Sequence, residues 1–308
     1  MNGIINVYKE KGFTSFDVCA KLRGILKTRK IGHTGTLDPD AEGVLPVCVG
    51  NATKLCDLLT DKDKVYEAVL YLGVTTDTED MTGTILTTSP VTVTKEEVKR
   101  CIRSFIGTYD QVPPMYSAIK VNGQRLYDLA RQGKVVERKA RTVIIHAIDI
   151  LEYEMQEDAP EYVQAVKMSV SCSKGTYIRT LCKDIGEALS CGGCMKSLLR
   201  TKVSVFELSE SLRLEQISKL MEQNQSNMFL RCVDSMFLNL PKAVVTAEAE
   251  KYLYNGNLLL LGQLKFEQNV DLVRNMEIRV YDCKNTFTGL YEYREKEQCF
   301  KPVKMFLQ

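Results

Sequence analysis

The sequence predicts a mixed α/β protein in which strands predominate, with a small, mainly β unit at the C-terminal end. Three patterns carry that reading. Residues 65–74 alternate, with Tyr66, Ala68, Leu70 and Leu72 on one face, as a half-buried strand does. Helical stripes are marked by caps, above all Thr94 with Glu97 ahead of Val98, Ile102 and Phe105. After about Leu208 a polar helical stretch gives way to short, closely spaced strands.

In chain order, Gly3–Tyr8 is a short apolar strand. Thr14 and Asp17 open a helix with Phe16, Cys19, Leu22 and Leu26 at apolar positions. Three glycines and a proline across Ile31–Gly43 break the periodicity and predict a loop. Val44–Val49 reads as a strand and Ala52–Leu59 as a short helix. Gly107 closes the helix that Thr94 opens. Asn122-Gly123 predicts a tight hairpin turn between Ser117–Val121 and Gln124–Tyr127. Arg141–Tyr153 and Tyr162–Cys172 read as paired strands. Tyr177, Leu181, Ile185 and Leu189 line a helix that stops at Cys191-Gly192-Gly193. Ser209–Asn227 is a polar helical connector striped by Leu214, Ile217, Leu220 and Met221. The last unit holds strands at Leu258–Leu261, Ile278–Tyr281, Thr288–Tyr293 and Pro302–Phe306, with a helix at Ala247–Tyr254. The expected division is therefore 1–208, a helical connector 209–239, and 240–308.

Composition bounds the function. A length of 308 residues fits two domains, or one large domain with an appendage. No apolar run approaches the roughly 18 residues a spanning helix needs, and MNGIINVYKEKGFTS lacks the features of a signal peptide, so no membrane association is expected. Eleven cysteines without framework spacing predict reduced thiols and a cytoplasmic location. Two histidines, His33 and His146, argue against a His-rich metal site. Cys191-Gly192-Gly193-Cys194 has metal-knuckle spacing but no second pair nearby, so it reads as a glycine helix stop. The net charge of +2, from 41 basic and 39 acidic residues, announces no polyanionic partner. Local charge differs. Lys21, Arg23, Lys27, Arg29 and Lys30 precede Gly32; Arg125, Arg131, Lys134, Arg138, Lys139 and Arg141 follow the hairpin; Lys174, Arg179, Lys196, Arg200 and Lys202 form a third run. Asp57, Asp61 and Asp63 read as a solvated surface.

The densest unusual segment runs from Gly32-His33-Thr34-Gly35-Thr36-Leu37-Asp38-Pro39 to Gly43-Val44-Leu45-Pro46. Asp38 precedes a proline, which biases it to an extended conformation and lets its carboxylate project. Taken singly, these residues have ordinary readings. Asp38-Pro39 is a common turn start, Tyr66 a cross-strand packing residue and Leu198 plain core. His33 is a solvated loop residue, and Arg179 a helix-surface partner of Asp184.

As a string, residues 32–46 resemble the G-H-T-G-x-L-D-P-x-x-x-G-x-L-P segment of the TruB-type tRNA pseudouridine synthases. Four further segments match in order: Lys64-Val65-Tyr66 with Leu72–Thr78, Val112–Lys120 with Gly123 and Leu126-Tyr127, Cys172–Leu181, and Leu198-Leu199-Arg200. The likeness spans residues 3 to about 205. It is weaker over the C-terminal 70 residues, where Arg279–Asp282 and Phe300–Lys304 resemble a PUA-type RNA-binding appendage.

The resemblance implies the pseudouridine synthase fold, α/β (α+β), with a central, mainly antiparallel mixed sheet flanked by helices and a small PUA-like domain. It implies isomerisation of uridine 55 in the T-arm loop of tRNA, and neither metal nor cofactor, because nothing is oxidised and no group is donated. Asp38 matches the catalytic aspartate and Arg179 the arginine that keeps it ionised. Tyr66 matches the tyrosine that stacks on the base and is implicated in removing the C5 proton. His33 would fill the space left by the extruded uridine, and Tyr177 and Leu198 would line the base pocket. The basic runs would track phosphates, with Lys21, Arg23, Lys30, Arg125, Arg131 and Lys174 as contacts and Arg125, Arg131 and Arg138 on a clamp. Asp40 and Glu42, extra carboxylates beside Asp38, are expected to face solvent. The chain resembles the stand-alone bacterial subtype, which implies tRNA as partner, no obligate protein partner and a monomer. The rival readings are an RNA-binding module without catalysis, or the same chemistry directed to ribosomal or messenger RNA.

Overall fold

The computed structural model describes residues 1–121 and 123–307, so the Asn122 half of the expected turn lies outside the described residues. Strand β1 (Gly3–Lys9) is buried along most of its length and leads into helix α1 (Ser15–Leu26). Thr14 and Asp17 form a complete capping box there. Ser15, Val18, Cys19, Leu22 and Leu26 make the buried face, whereas Phe16, expected on it, is 65% exposed under the Arg23 guanidinium. Phe16 lies one residue, about 100° of helix rotation, from Ser15. The expected loop is shorter than 31–43, because β2 (Ile31–His33) pairs with β3 (Glu42–Val49) and leaves 34–41 irregular. A 3-10 turn at Gly50–Leu55 and α2 (Cys56–Thr60) replace the single helix expected there.

β4 (Lys64–Leu72) buries every second side chain from Lys64 to Leu72, as its alternation dictates. Then come an outlying hairpin of β5 (Val74–Thr76) and β6 (Ile85–Thr88), α3 (Lys95–Ser104) with its capping box, and β7 (Gly107–Gln111). The small hairpin pairs β8 (Lys120–Val121) with β9 (Gln124–Arg125), and Tyr127 already belongs to α4 (Leu126–Arg131) rather than to the second strand. β10 (Arg141–Met155) and β11 (Val163–Cys172) pair antiparallel. α5 (Ile178–Ala188) ends ahead of β12 (Gly193–Val203), and β13 (Phe206–Glu207) folds back on β12. α6 (Leu214–Glu222) and β14 (Leu230–Arg231) follow.

Ten of these fourteen strands form one sheet in the order β14-β1-β3-β12-β4-β11-β10-β7, with β2 on β3 and β13 on β12, and the β5–β6 and β8–β9 hairpins stand apart from it. All its pairs are antiparallel except β3 with β12. Helices α3 and α5 bury Val98, Ile102, Leu181 and Ile185 against β4, β10 and β11. Helix α1 packs Val18 and Leu22 on β1 and β3, and Leu214 and Ile217 of α6 join the same cluster. Residues 214–231 therefore pack as part of this first body.

A second, six-stranded sheet contains β15 (Lys242–Val245), β16 (Leu259–Leu260), β17 (Leu264–Phe266), β18 (Glu277–Tyr281), β19 (Phe287–Arg294) and β20 (Cys299–Met305). Its order is β16-β20-β19-β18-β15-β17, and α7 (Glu250–Tyr254) covers part of the helix expected there. Leu290 of β19 and Phe306, just beyond β20, pack with Ile4, Val44 and Phe206 of the first sheet and with Leu55 of the 3-10 turn beside it, so the two sheets share one apolar cluster. Leu290→Ala should therefore lower unfolding free energy by about 2–5 kcal/mol. Chemical denaturation should retain one transition followed by both sheets; separate melting of the C-terminal sheet would refute the shared core.

Candidate active site

The site forms where β12 enters between β3 and β4. β12 runs parallel to β3 for two residue pairs, Leu199 with Glu42 and Arg200 with Gly43. Gly43 has φ +105°, and a Cβ there would stand 2.2 Å from the Arg200 carbonyl oxygen, so glycine is required by both conformation and space. The Arg200 side chain, 1% exposed, turns into the 34–41 loop. Its Nε donates to the Val44 carbonyl at 2.7 Å, and its terminal nitrogens donate to the carbonyls of Thr36 at 3.4 Å and Gly35 at 3.3 Å. Arg200 therefore braces the loop from inside; it is not the surface phosphate contact that the third basic run suggests.

Two more buried groups fix the loop from the other side. Lys9 Nζ donates to the carbonyls of Glu10 (3.1 Å), Pro39 (3.0 Å) and Ala41 (2.6 Å). Ser15 Oγ accepts from the Leu37 amide at 2.9 Å. Burial pushes the Lys9 ammonium down to about 8, against the opposing pull of Asp38, Glu42 and Asp40. With its neighbours pinned, Asp38 projects from the loop with its side chain 40% exposed.

Arg179, 5% exposed near the start of α5, meets it. Its Nε lies 3.0 Å from Asp38 Oδ2, and a terminal nitrogen donates to Oδ1 at 3.3 Å, a two-point fork. The remaining donors reach the carbonyls of Thr78 at 3.0 Å and Tyr116 at 2.8 Å, while Asp80 Oδ2 stands 3.9 Å from Nε. Asp184, the alternative partner of a surface arginine, is instead bonded to Tyr109 and paired with Lys183.

Asp38, Arg179, Tyr116 and Leu198 lie on the wall between two cavities of about 650 Å³ and 490 Å³. The larger is lined also by Tyr66, Tyr177, Lys64, Arg125 and Lys174. Tyr66 is 7% exposed and sits opposite Arg200 across the β4–β12 ladder. Burial pushes its phenol up, with the Arg200 charge opposing. Lys64, buried and bonded to the Thr60 and Lys62 carbonyls, is pushed down to about 8 by desolvation and by Arg200.

The structure thus brings together Asp38, Tyr66, Arg179, Tyr177 and Leu198. His33 lines neither cavity. It sits half-buried at the base of the loop, its Nδ1 accepting from the Gly35 amide at 3.4 Å, and burial pushes its pKa down. Of the expected phosphate contacts, Arg125 and Lys174 line the larger cavity and Arg131 the smaller. Lys21, Arg23 and Lys30 line neither: Lys21 lies over Phe13, Arg23 over Phe16, and Lys30 bonds Asn51. Arg138 lines neither cavity, and a terminal nitrogen of its guanidinium donates to the Pro113 carbonyl at 3.0 Å. Asp57, Asp61 and Asp63 are exposed as expected, although Asp61 also pairs with Lys174 on the cavity wall and Asp63 with His146. Asp40 faces solvent near Lys11 as expected, but Glu42 is half-buried and accepts from the Tyr8 hydroxyl at 3.1 Å. Among the described residues no three His, Cys, Asp or Glu side chains gather as a metal site. No helix of the described residues is long and apolar enough to cross a membrane.

Residues 23–178 match the model of the TruB family pseudouridylate synthase N-terminal domain, and residues 179–240 that of the tRNA pseudouridylate synthase B C-terminal domain. The chain belongs to the TruB family. It is 66% identical over 307 residues to the tRNA pseudouridine synthase B of Lachnoclostridium phytofermentans, covering all of both chains. It is 43% identical to that of Alkaliphilus oremlandii, over 99% of this chain and 97% of the relative. Membership makes the protein an isomerase. Two solved structures share its fold: an H/ACA ribonucleoprotein bound to a substrate RNA containing 2′-deoxyuridine, and a Cbf5-Nop10-Gar1 complex. Their TM-scores are 0.71 and 0.70 and their identities 22% and 25%, over 99% of this chain and 85% of theirs. Within this TruB-family site, the sequence gives no sign of Lys9, and the Lys64-Val65-Tyr66 and Leu198-Leu199-Arg200 segments do not reveal that Lys64 and Arg200 are buried on backbone carbonyls, because a buried cation bound to carbonyls has no local signature of that state.

The depressed Lys9 predicts a pH signature. Unfolding restores its ordinary value of 10.5, so between about 8 and 10.5 the unfolded chain binds more protons than the folded one. Stability contributed by Lys9 must then rise with pH across that window. The unfolding free energy of wild type minus that of Lys9→Met, followed by denaturant titration from pH 7.5 to 10.5, should increase. A flat difference would mean that Lys9 is not desolvated.

Proposed function

We propose that the protein isomerises uridine 55 in the T-arm loop of tRNA to pseudouridine, with Asp38 as the catalytic carboxylate. The observation that carries the reading is the forked Asp38–Arg179 pair on the wall of a cavity lined by Tyr66. The names of the relatives, tRNA pseudouridine synthase B, supply the substrate class. The reaction breaks the C1′–N1 bond, leaves the electron pair on the uracil, rotates the base and forms C1′–C5; the C5 proton then leaves and N1 takes one up. Product and substrate are therefore isomers, with no net gain or loss of atoms. A carboxylate fixed beside sugar and base serves as nucleophile or as stabiliser of the developing positive charge.

The other residues have definable tasks. Arg179 holds Asp38 in one rotamer. Tyr66, its phenol kept protonated by burial, offers a stacking face to the extruded uracil and stays beside C5 when that proton departs. Tyr177 and Leu198 enclose the base. His33, neutral and outside the cavity, is placed to fill the space in the RNA stack that the uridine vacates. Arg125, Arg131 and Lys174 meet backbone phosphates on the approach, and the six-stranded C-terminal sheet serves as a PUA-like RNA contact. No protein partner is required.

A tRNA transcript tritiated at uracil C5 tests the reading. Wild type should release label at position 55, and Asp38→Ala should lower the single-turnover rate by at least about 10³-fold while binding RNA. Binding without release by wild type would favour an RNA-binding module, and release from another position would redirect the substrate. Replacing Arg125 and Arg131 by Gln should weaken binding and flatten the plot of log K against log salt by about 1.4–1.8, two phosphate contacts' worth. An unchanged slope would remove both from the RNA path.

A further inference from the structure

Beyond the residues that line the cavities, β7 carries a device aimed at one of them. Gln111, at the C-terminal end of that strand, is 1% exposed. Its Oε1 accepts from the Tyr177 amide at 2.7 Å, and its Nε2 donates to the Tyr177 carbonyl at 3.0 Å. Because an amide N–H can only donate, the atom facing it must be the glutamine oxygen, so the orientation of the side chain is set chemically. The second Nε2 hydrogen goes to Tyr109 Oη at 2.7 Å, and Tyr109 in turn donates to Asp184 Oδ2 at 2.9 Å. Tyr109 and Gln111 are two apart on one strand and so share a face. They grip α5 at its N-cap residue and again at Asp184, on either side of Arg179.

The grip falls where the helix has no cap of its own. Tyr177 is the N-cap residue of α5, and its side chain makes no capping hydrogen bond. Its φ and ψ set the direction in which Ile178 and Arg179 leave the turn after Gly175. We infer that Gln111 is a positioning residue for the isomerisation: by bracketing the Tyr177 backbone it aims Arg179 at Asp38 and the Tyr177 ring into the cavity. The inference rests on the roles proposed above for Asp38 and Arg179. Nothing else in the chemistry requires a glutamine here, since Gln111 lines neither cavity.

The test uses the full chain and C5-tritiated tRNA with enzyme in excess, so that chemistry is read apart from binding, and compares Gln111→Met with Gln111→Glu. Methionine matches the shape without the hydrogen bonds. It should lower the single-turnover rate about 10- to 100-fold while the Kd for tRNA stays within about twofold, the signature of a displaced catalytic group. Glutamate accepts from the Tyr177 amide in either state, but donates to the carbonyl only when protonated. Its rate should therefore recover as pH falls, a trend wild type lacks, and this readout stands even if Gln111→Met fails to fold. A wild-type rate in Gln111→Met, a loss confined to Kd, or a pH profile of Gln111→Glu parallel to wild type would each overturn the inference. Arg179→Met in the same assay separates the two levels. Full activity there removes the proposed role of Arg179 on which the inference rests, whereas loss there with an unaffected Gln111→Met removes the Gln111 inference alone.

Discussion

Strands β3 and β12 run parallel for only two residue pairs, and the space at their junction is filled by the Arg200 guanidinium. Taking a cation out of water is costly unless its donors are satisfied, and here the satisfying groups are loop carbonyls. The same contact that compensates the burial of Arg200 thus dictates the path of residues 35–44. It also explains Gly43: the backbone of β12 passes too close for any side chain at that point. Tyr66, opposite Arg200 on β4, inherits its position from the same ladder. Carboxylate loop and aromatic platform are therefore placed by one crowded junction.

The charge pattern follows from that junction. Lys9, Lys64 and Arg200 are all buried around the loop, and each is bonded to backbone carbonyls. Carbonyl dipoles solvate a cation without neutralising it, so the inner wall of the site is electropositive even though the whole chain carries only +2. Such a wall suits the proposed reaction, in which the leaving uracil carries an electron pair, because fixed charge in a shielded site needs no reorganisation as the bond breaks. Desolvation limits how far this can go, and the depressed Lys9 and Lys64 mark that limit.

Much of this was readable in advance where local chemistry dictates it. Alternation fixed β4, and with it the inward aim of Tyr66; the capping boxes fixed the starts of α1 and α3. Asp38 stood out because glycine, Asp-Pro and a second glycine occur in one family-specific order. β12 escaped notice because bulges at 195–197 and 200–202 break its alternation. Gln111 escaped because its partner is 66 residues away and is backbone, which carries no residue signature. The placement of the basic runs relative to the cavities was hidden for a related reason. Adjacency in sequence placed Lys21, Arg23 and Lys30 with Gly32, but α1 and the turn after it point those side chains at Phe13, Phe16 and Asn51.

The Arg179 guanidinium joins four separate segments: the Asp38 loop, the Thr78–Asp80 turn, the Tyr116 stretch and α5 itself. Asp38 and Arg179 are 141 residues apart, so their pairing demands that β3, β4, β12 and α5 already be assembled. A fork of this kind adds little to stability when one partner is 40% exposed. Its value is geometric. In the proposed reaction a nucleotide is extruded from a folded loop at a cost of a few kcal/mol, and any freedom left in the carboxylate would add to the barrier after that cost is met. Fixing Arg179 with two carbonyls before RNA arrives leaves Asp38 as the single movable member of the pair, and the fork restricts even that.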